Sequence, residues 1–172
     1  GDLSIGDNRD VGSTGSPQAT VQLLQPNQIP ETNFFGAQIT TATPTINTLT
    51  INSNGKLDLN GQNDTIGNLT MLTGRSVSAQ VTSGAGTLTL QGDVTVNNTP
   101  ETSSASPAAT ISGKLDLGNY FSGPGGLTTR NFTVNDSVVA NIAADLNISA
   151  VISSSPNITF TKLGGGTLLL SG

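Results

Sequence analysis

The chain has 172 residues, a net charge of −5, no His, no Cys and only 10% charged residues, against roughly 25% in an ordinary soluble domain. Lacking His and Cys, it has no usual ligands for zinc, iron–sulfur, haem or copper and no thiol or His-dependent triad, and six scattered cations on an acidic chain make no basic face for nucleic acid. No apolar run approaches the ~18 residues of a membrane helix, yet Leu, Ile, Val and Phe make up 44 residues, about 26%, above the roughly 20% floor of disordered chains.

Residues 1–44 carry Pro17, Pro26, Pro30 and Pro44 and no clear repeat. They read as an N-terminal cap or arm, and Gly1-Asp2-Leu3-Ser4 does not read as a charged-then-apolar leader. Asp7-Asn8-Arg9-Asp10 offers oxygen ligands but matches neither the EF-hand nor the nonapeptide calcium loop, so an Asx turn is expected. Thr20–Leu24 could add as a strand to a neighbour. Asn33-Phe34-Phe35, like Tyr120-Phe121 further on, reads as core or end-cap packing, with sugar stacking or a subunit contact as the alternative.

Residues 45–98 are strand-dense. Gly55–Gly61 (GKLDLNG), Gly86–Gly92 (GTLTLQG) and Asp93–Asn97 (DVTVN) alternate aliphatic and polar residues. That period places one face in a core and one in water, and Gly, Asn and Asp supply the turns between. Thr99–Pro107 reads as a surface loop. Residues 108–172 are strand-dense again, beginning with Gly113–Gly118 (GKLDLG). Gly123-Pro124-Gly125-Gly126 is a turn, because no Lys-Ser/Thr follows to make a phosphate loop. Asn135-Asp136-Ser137 could cap a short helix over Val138–Leu146, but a further strand and turn fits the composition better.

Short strands at this spacing fit an antiparallel sandwich or barrel, or a solenoid of stacked strands. Internal similarity favours the solenoid. GKLDL at Gly55–Leu59 recurs at Gly113–Leu117, and GAGTLTLQG at Gly84–Gly92 recurs as GGGTLLLSG at Gly164–Gly172. The candidate inward positions are Leu49, Ile51, Leu57, Leu59, Leu69, Val77, Val81, Leu88, Leu90, Val94, Val96, Leu115, Leu117, Phe132, Val134, Ile158, Phe160, Leu168 and Leu170. At ~20 residues per rung and ~4.8 Å between strands, about eight rungs make a rod near 40 Å long. Aligned Asn and Thr are expected to bond from rung to rung.

Asn157–Gly172 resembles the autotransporter-associated β-strand repeat of large bacterial surface proteins. Thr161 and Lys162 match its Thr-Lys pair, Gly164 and Gly166 its spaced glycines, and Thr167–Gly172 its strand. Ile148–Ser153 looks like the leading strand, with Ala150 where Gly is usual, and Leu163 departs from the small polar residue expected there. Ser83–Gly92 is a partial copy without the Thr-Lys pair. Leu57–Leu69 resembles the strand–turn–strand units that accompany the repeat. The resemblance implies a right-handed parallel β-helix on the outside of a bacterial cell.

No catalytic, cofactor-binding or metal-binding residue is expected. Asp58 and Asp116 hold the same place in the two GKLDL copies, and a carboxylate pair suits glycoside hydrolysis, but a solvated residue beside Lys56 or Lys114 is the simpler reading. Arg130, Lys162, Asp136 and Asp145 are the groups a polysaccharide lyase would use, and they form no cluster in sequence. Seven Asn-x-Ser/Thr sequons, at Asn63, Asn68, Asn97, Asn131, Asn135, Asn147 and Asn157, are only modestly above chance in so polar a chain.

The expected function is structural or adhesive, at the bacterial cell surface. Thr167–Leu170 reads as an uncharged strand with no cap after it, which suggests growth by head-to-tail contact or strand addition into a fibre, or a segment of a longer passenger. The expected partners are other copies or adjoining solenoid segments, with surface glycans as a further class, and neither nucleic acid nor inserted membrane. The rivals are a polysaccharide-processing enzyme or a carbohydrate-binding module on the same scaffold.

Overall fold

The computed structural model describes residues 2–7, 18–29, 47–99, 107–118, 129–137, 143–154 and 158–172. The readings on Asn8–Asp10, Asn33–Phe35, most of Thr99–Pro107, Tyr120-Phe121, Gly123–Gly126 and Asn157 lie outside these residues. So does most of the short helical stretch, whose described part has no helix and whose Leu146 begins a strand.

Sixteen strands follow one another among the described residues. They are β1 (Leu3–Ile5), β2 (Ala19–Gln22), β3 (Thr48–Ile51), β4 (Gly55–Asp58), β5 (Asp64–Ile66), β6 (Asn68–Thr73), β7 (Gln80–Thr82) and β8 (Leu88–Leu90). Next come β9 (Val94–Asn98), β10 (Ala109–Ser112), β11 (Lys114–Asp116), β12 (Thr129–Val134), β13 (Leu146–Ile148), β14 (Val151–Ser153), β15 (Thr159–Leu163) and β16 (Leu168–Leu170). They form three sheets. The first runs β1-β3-β6-β9-β12-β15, the second β2-β4-β7-β10-β13-β16 and the third β5-β8-β11-β14.

All the ladders among the described strands are parallel. From β3 onward the chain visits the first, second and third sheets in turn, so each strand pairs with the strand three elements later. This excludes the antiparallel sandwich, in which consecutive strands would pair directly. Parallel strands need a long crossover. Here the crossover is the other two sheets, so the chain encloses its core as it goes round.

Register explains the alternation in the sequence. In the first sheet Leu3, Leu49, Leu69, Val94 and Phe132 line up on the inner face. In the second, Val21, Leu57, Val81, Ile111, Ile148 and Leu170 do so. One continuous core results. Most of the expected inward residues are buried in it, and Ile5, Leu23, Ile29, Ile66, Met71, Ile111, Leu146 and Ile148 join them. Val77, Ile158, Phe160 and Leu168 are only half-buried and Leu170 is exposed.

Corner geometry is set by residues that tolerate positive φ. Asn60 (φ 51) and Gly61 (φ 78) make one corner, closed by the Gln62 amide donating to the Leu59 carbonyl at 2.8 Å. Both central residues are left-handed, which Asn and Gly accept at little cost.

Among the described residues the largest sheets hold six strands, about 24 Å from first to last at ~4.8 Å each, where about eight rungs are expected. The reason is that circuits vary in length: Leu49 aligns with Leu69, 20 residues on, whereas Asp93 meets Asn131, 38 residues on. The two GKLDL copies fall in different sheets. Gly55–Asp58 lies in the second sheet and Lys114–Asp116 in the third.

Candidate functional site

The outer face of the first sheet is the most regular polar surface. Ser4, Thr50, Thr70, Thr95 and Thr133 occupy one register position on successive strands. Two residues earlier runs a column whose side chains bond to the next circuit. The Asp2 carboxylate accepts the Thr48 amide at 3.0 Å, and the Asn68 carboxamide oxygen accepts the Asp93 amide at 3.0 Å. Asp93 accepts both the Asn131 amide (2.9 Å) and the Asn131 side-chain NH2 (3.0 Å). On the far side, Asn135 donates to Asn97 at 2.7 Å, and Thr73 donates to Asn98 at 2.6 Å. Side-chain bonds between neighbouring strands are therefore present, made by Asn135 with Asn97 and Thr73 with Asn98 and otherwise by Asp and Asn side chains to backbone amides.

This gives the sequons a structural reading. Asn68, Asn97, Asn131 and Asn135 belong to these columns, Asn63 accepts the Thr87 amide at 2.9 Å, and Asn147 accepts the Ser171 hydroxyl at 2.9 Å. Removing one such acceptor is costly because a backbone donor loses its partner. Asp93→Ala is expected to lower unfolding free energy by about 1–3 kcal/mol, read by urea denaturation.

The candidate acids are not brought together by the fold. Asp58 belongs to the second sheet, 3.7 Å from Lys56, and accepts the Asn60 amide at 2.9 Å. Asp116 belongs to the third, where it accepts the Gly118 amide and the Ser153 hydroxyl, each at 2.7 Å. Asp145 is buried and accepts the amides of Ser137 and Thr167, each at 2.8 Å. Lys162 donates to the Gly164 carbonyl on edge strand β15. Among the described residues no three His, Cys, Asp or Glu side chains could hold a metal ion.

Arg130 is placed unexpectedly. The alternation of β12 turns it inward, and it is 2% exposed. Its guanidinium donates to the carbonyls of Leu90 and Thr129, each at 3.3 Å. Burial lowers its pKa from the ordinary guanidinium value, and nearby Asp93 partly offsets this. It braces the corner between third and first sheets, so it is withdrawn from any surface chemistry.

Two features were not legible in the sequence. Asp64 occupies an inward position of the third sheet, in line with Leu88, Leu115 and Ile152. And the five exposed large apolar side chains among the described residues are Leu24, Val151, Leu163, Leu169 and Leu170. Four of them lie on β14, β15 and β16, the edge strands at one end of the three sheets.

No family model, curated protein or solved structure matches this chain.

Proposed function

We propose that this chain is a right-handed parallel β-helix that serves as a non-catalytic structural or adhesive solenoid on the bacterial cell surface, extended by adding strands at its ends. The observation that carries the reading is the location of exposed apolar surface. Leu24 lies beside β2 and the other four exposed residues lie on β14–β16, whereas the strands between them expose no large apolar side chain. Apolar residues on edge strands favour contact with further strands. Polar lateral faces favour water or glycans.

Handedness is supported by the general rule that a strand feeding a parallel neighbour in its own sheet crosses over to the right. The surface location rests on the resemblance of Asn157–Gly172 to the autotransporter-associated repeat. The separation of Asp58 from Asp116 and the burial of Arg130 weigh against a polysaccharide-processing enzyme. The chain acts as a unit that stacks on other copies, or as a segment stacked on adjoining coils.

Sedimentation velocity across a concentration series, with negative-stain imaging, tests this. Concentration-dependent growth into rods one solenoid wide is expected. A monomer at every concentration would contradict stacking on other copies and leave the segment on adjoining coils, and irregular clumps would contradict both.

A further inference from the structure

We propose that residues 23–29 form a strap over the free edge of β5, latched by the Asp64 carboxylate, and that the latch loosens when this carboxylate ionises. Going beyond the structural role, this assigns a pH-responsive element to one end of the solenoid.

The strap is anchored in three places. Its start is tied to the corner after β4, where the Leu23 amide donates to the Asp58 backbone carbonyl at 2.9 Å and the Asn60 side chain donates to the Leu23 carbonyl at 3.3 Å. Its middle is tied to the residue before β5, where the Asn27 amide donates to Asn63 at 3.1 Å. Its end is held by one side chain. Oδ2 of Asp64 accepts the Gln28 amide at 2.8 Å and the Ile29 amide at 3.2 Å. Within the strap, Gln28 Oε1 accepts the amides of Leu24 and Gln25, so the segment keeps its own turn. Its apolar contribution is Leu23 and Ile29, both buried.

The latch has an internal conflict. Asp64 is 1% exposed at a position where the three aligned residues are Leu88, Leu115 and Ile152. Oδ1 has no hydrogen-bond partner. A buried carboxylate with one oxygen unsatisfied disfavours its charged form. Burial is the larger influence and raises the pKa above the ordinary aspartate value, while the backbone amides of Gln28, Ile29 and Thr65 work in the opposite direction. Among the described residues, the strap, β1, β3, β5 and β8 carry no titratable group besides Asp64; the nearby ones are Lys56 and Asp58 on β4, at the start of the strap, and Asp2 just before β1. A partly open hollow of about 10 Å³, no larger than one water, is lined by Ile29, Leu49 and Ile66.

The sign follows from linkage. The closed strap binds the Asp64 proton more tightly than the open one, so acid favours closure. Closure is strongest in acid, where the carboxyl is protonated in both states, and weakens as pH rises from the open-state pKa through the raised one. The change is up to about tenfold in the opening equilibrium per pH unit within that window, and levels off above it. Opening frees the edge of β5 and uncovers Ile66, the kind of edge on which a further strand can form.

Amide hydrogen exchange of the intact chain, corrected for intrinsic rates and measured from about pH 4 to 7, tests the latch. The Gln28 and Ile29 amides are expected to lose protection as pH rises, while those of β8 and β9 hold theirs. In Asp64→Asn the loss with pH should vanish. In Asp64→Leu, which matches the aligned Leu88 and Leu115, strap protection should be low at every pH while β8 stays protected. Strap protection that is independent of pH in the native chain would overturn the proposal. So would an unchanged pH profile in Asp64→Asn, or strap exchange that simply follows the whole fold. Exchange is measured on the monomer fraction isolated at low concentration, so that the outcome is read apart from assembly.

Discussion

Leu69→Ala is expected to destabilise the chain by about 2–5 kcal/mol, while Thr70→Ala, one residue along, costs less than about 1 kcal/mol. Leu69 is fully buried and sits between Leu49 and Val94 in the inner column of the first sheet. Truncation removes apolar contacts with both neighbouring circuits and leaves a cavity that the close-stacked strands on either side cannot collapse into. Thr70 points the other way, between Thr50 and Thr95. Equilibrium urea unfolding checks both substitutions. Similar losses for the two would mean that the inside and outside of the first sheet had been misassigned.

Gly86→Ala and Gly166→Ala are expected to cost about 3 kcal/mol each, through backbone that must shift, whereas Gly165→Ala costs under about 0.5 kcal/mol. A Cβ on Gly86 would run into the Gln62 carbonyl of the preceding circuit and come within 2.7 Å of the Gly61 carbonyl carbon. A Cβ on Gly166 would come within 2.6 Å of the Asn135 carbonyl oxygen and 2.8 Å of Asp145 Oδ2. At Gly165 the nearest atom is 3.7 Å away. Where the turn recurs earlier in the chain, as Gly84-Ala85-Gly86, Ala already stands at the middle position. Thermal melts of the three variants should therefore separate into two deep losses and one near-native curve. Equal effects at all three sites would contradict the close approach of successive circuits.

These glycines also show what the sequence disclosed. The spacing Gly164 and Gly166 was visible as a motif, and its physical cause is one circuit lying on the backbone of another. Alternation was equally legible, since Leu57, Leu88, Val94 and Leu115 each stand beside polar residues and each proves buried. The stacking position was not legible. GKLDL at Gly55–Leu59 and Gly113–Leu117 marks a strand with one wet face, and strands of the second and third sheets share that requirement. Circuit length hid the rest, because an insertion such as that between β11 and β12 lengthens a circuit without changing the strands it joins. The inward placement of Arg130 and Asp64 escaped detection for another reason. A charged residue reads as outward unless the register of its strand is known, and each occupies an inward place in its strand.

From β3 onward each strand lies in register on the strand three elements later. The pair Thr95→Cys and Thr133→Cys tests this in a chain that has no cysteine of its own. These residues are 38 apart in sequence and are direct partners across β9 and β12. Neighbouring strands about 4.8 Å apart fall within the Cα separation a disulfide spans. Mild oxidation should close an intramolecular disulfide in the folded monomer, and much faster than in Thr95→Cys with Thr65→Cys, whose positions lie on different sheets. A Thr95–Thr133 pair that stays reduced, or that closes no faster than the Thr95–Thr65 pair, would contradict the parallel stacking on which the rest is built.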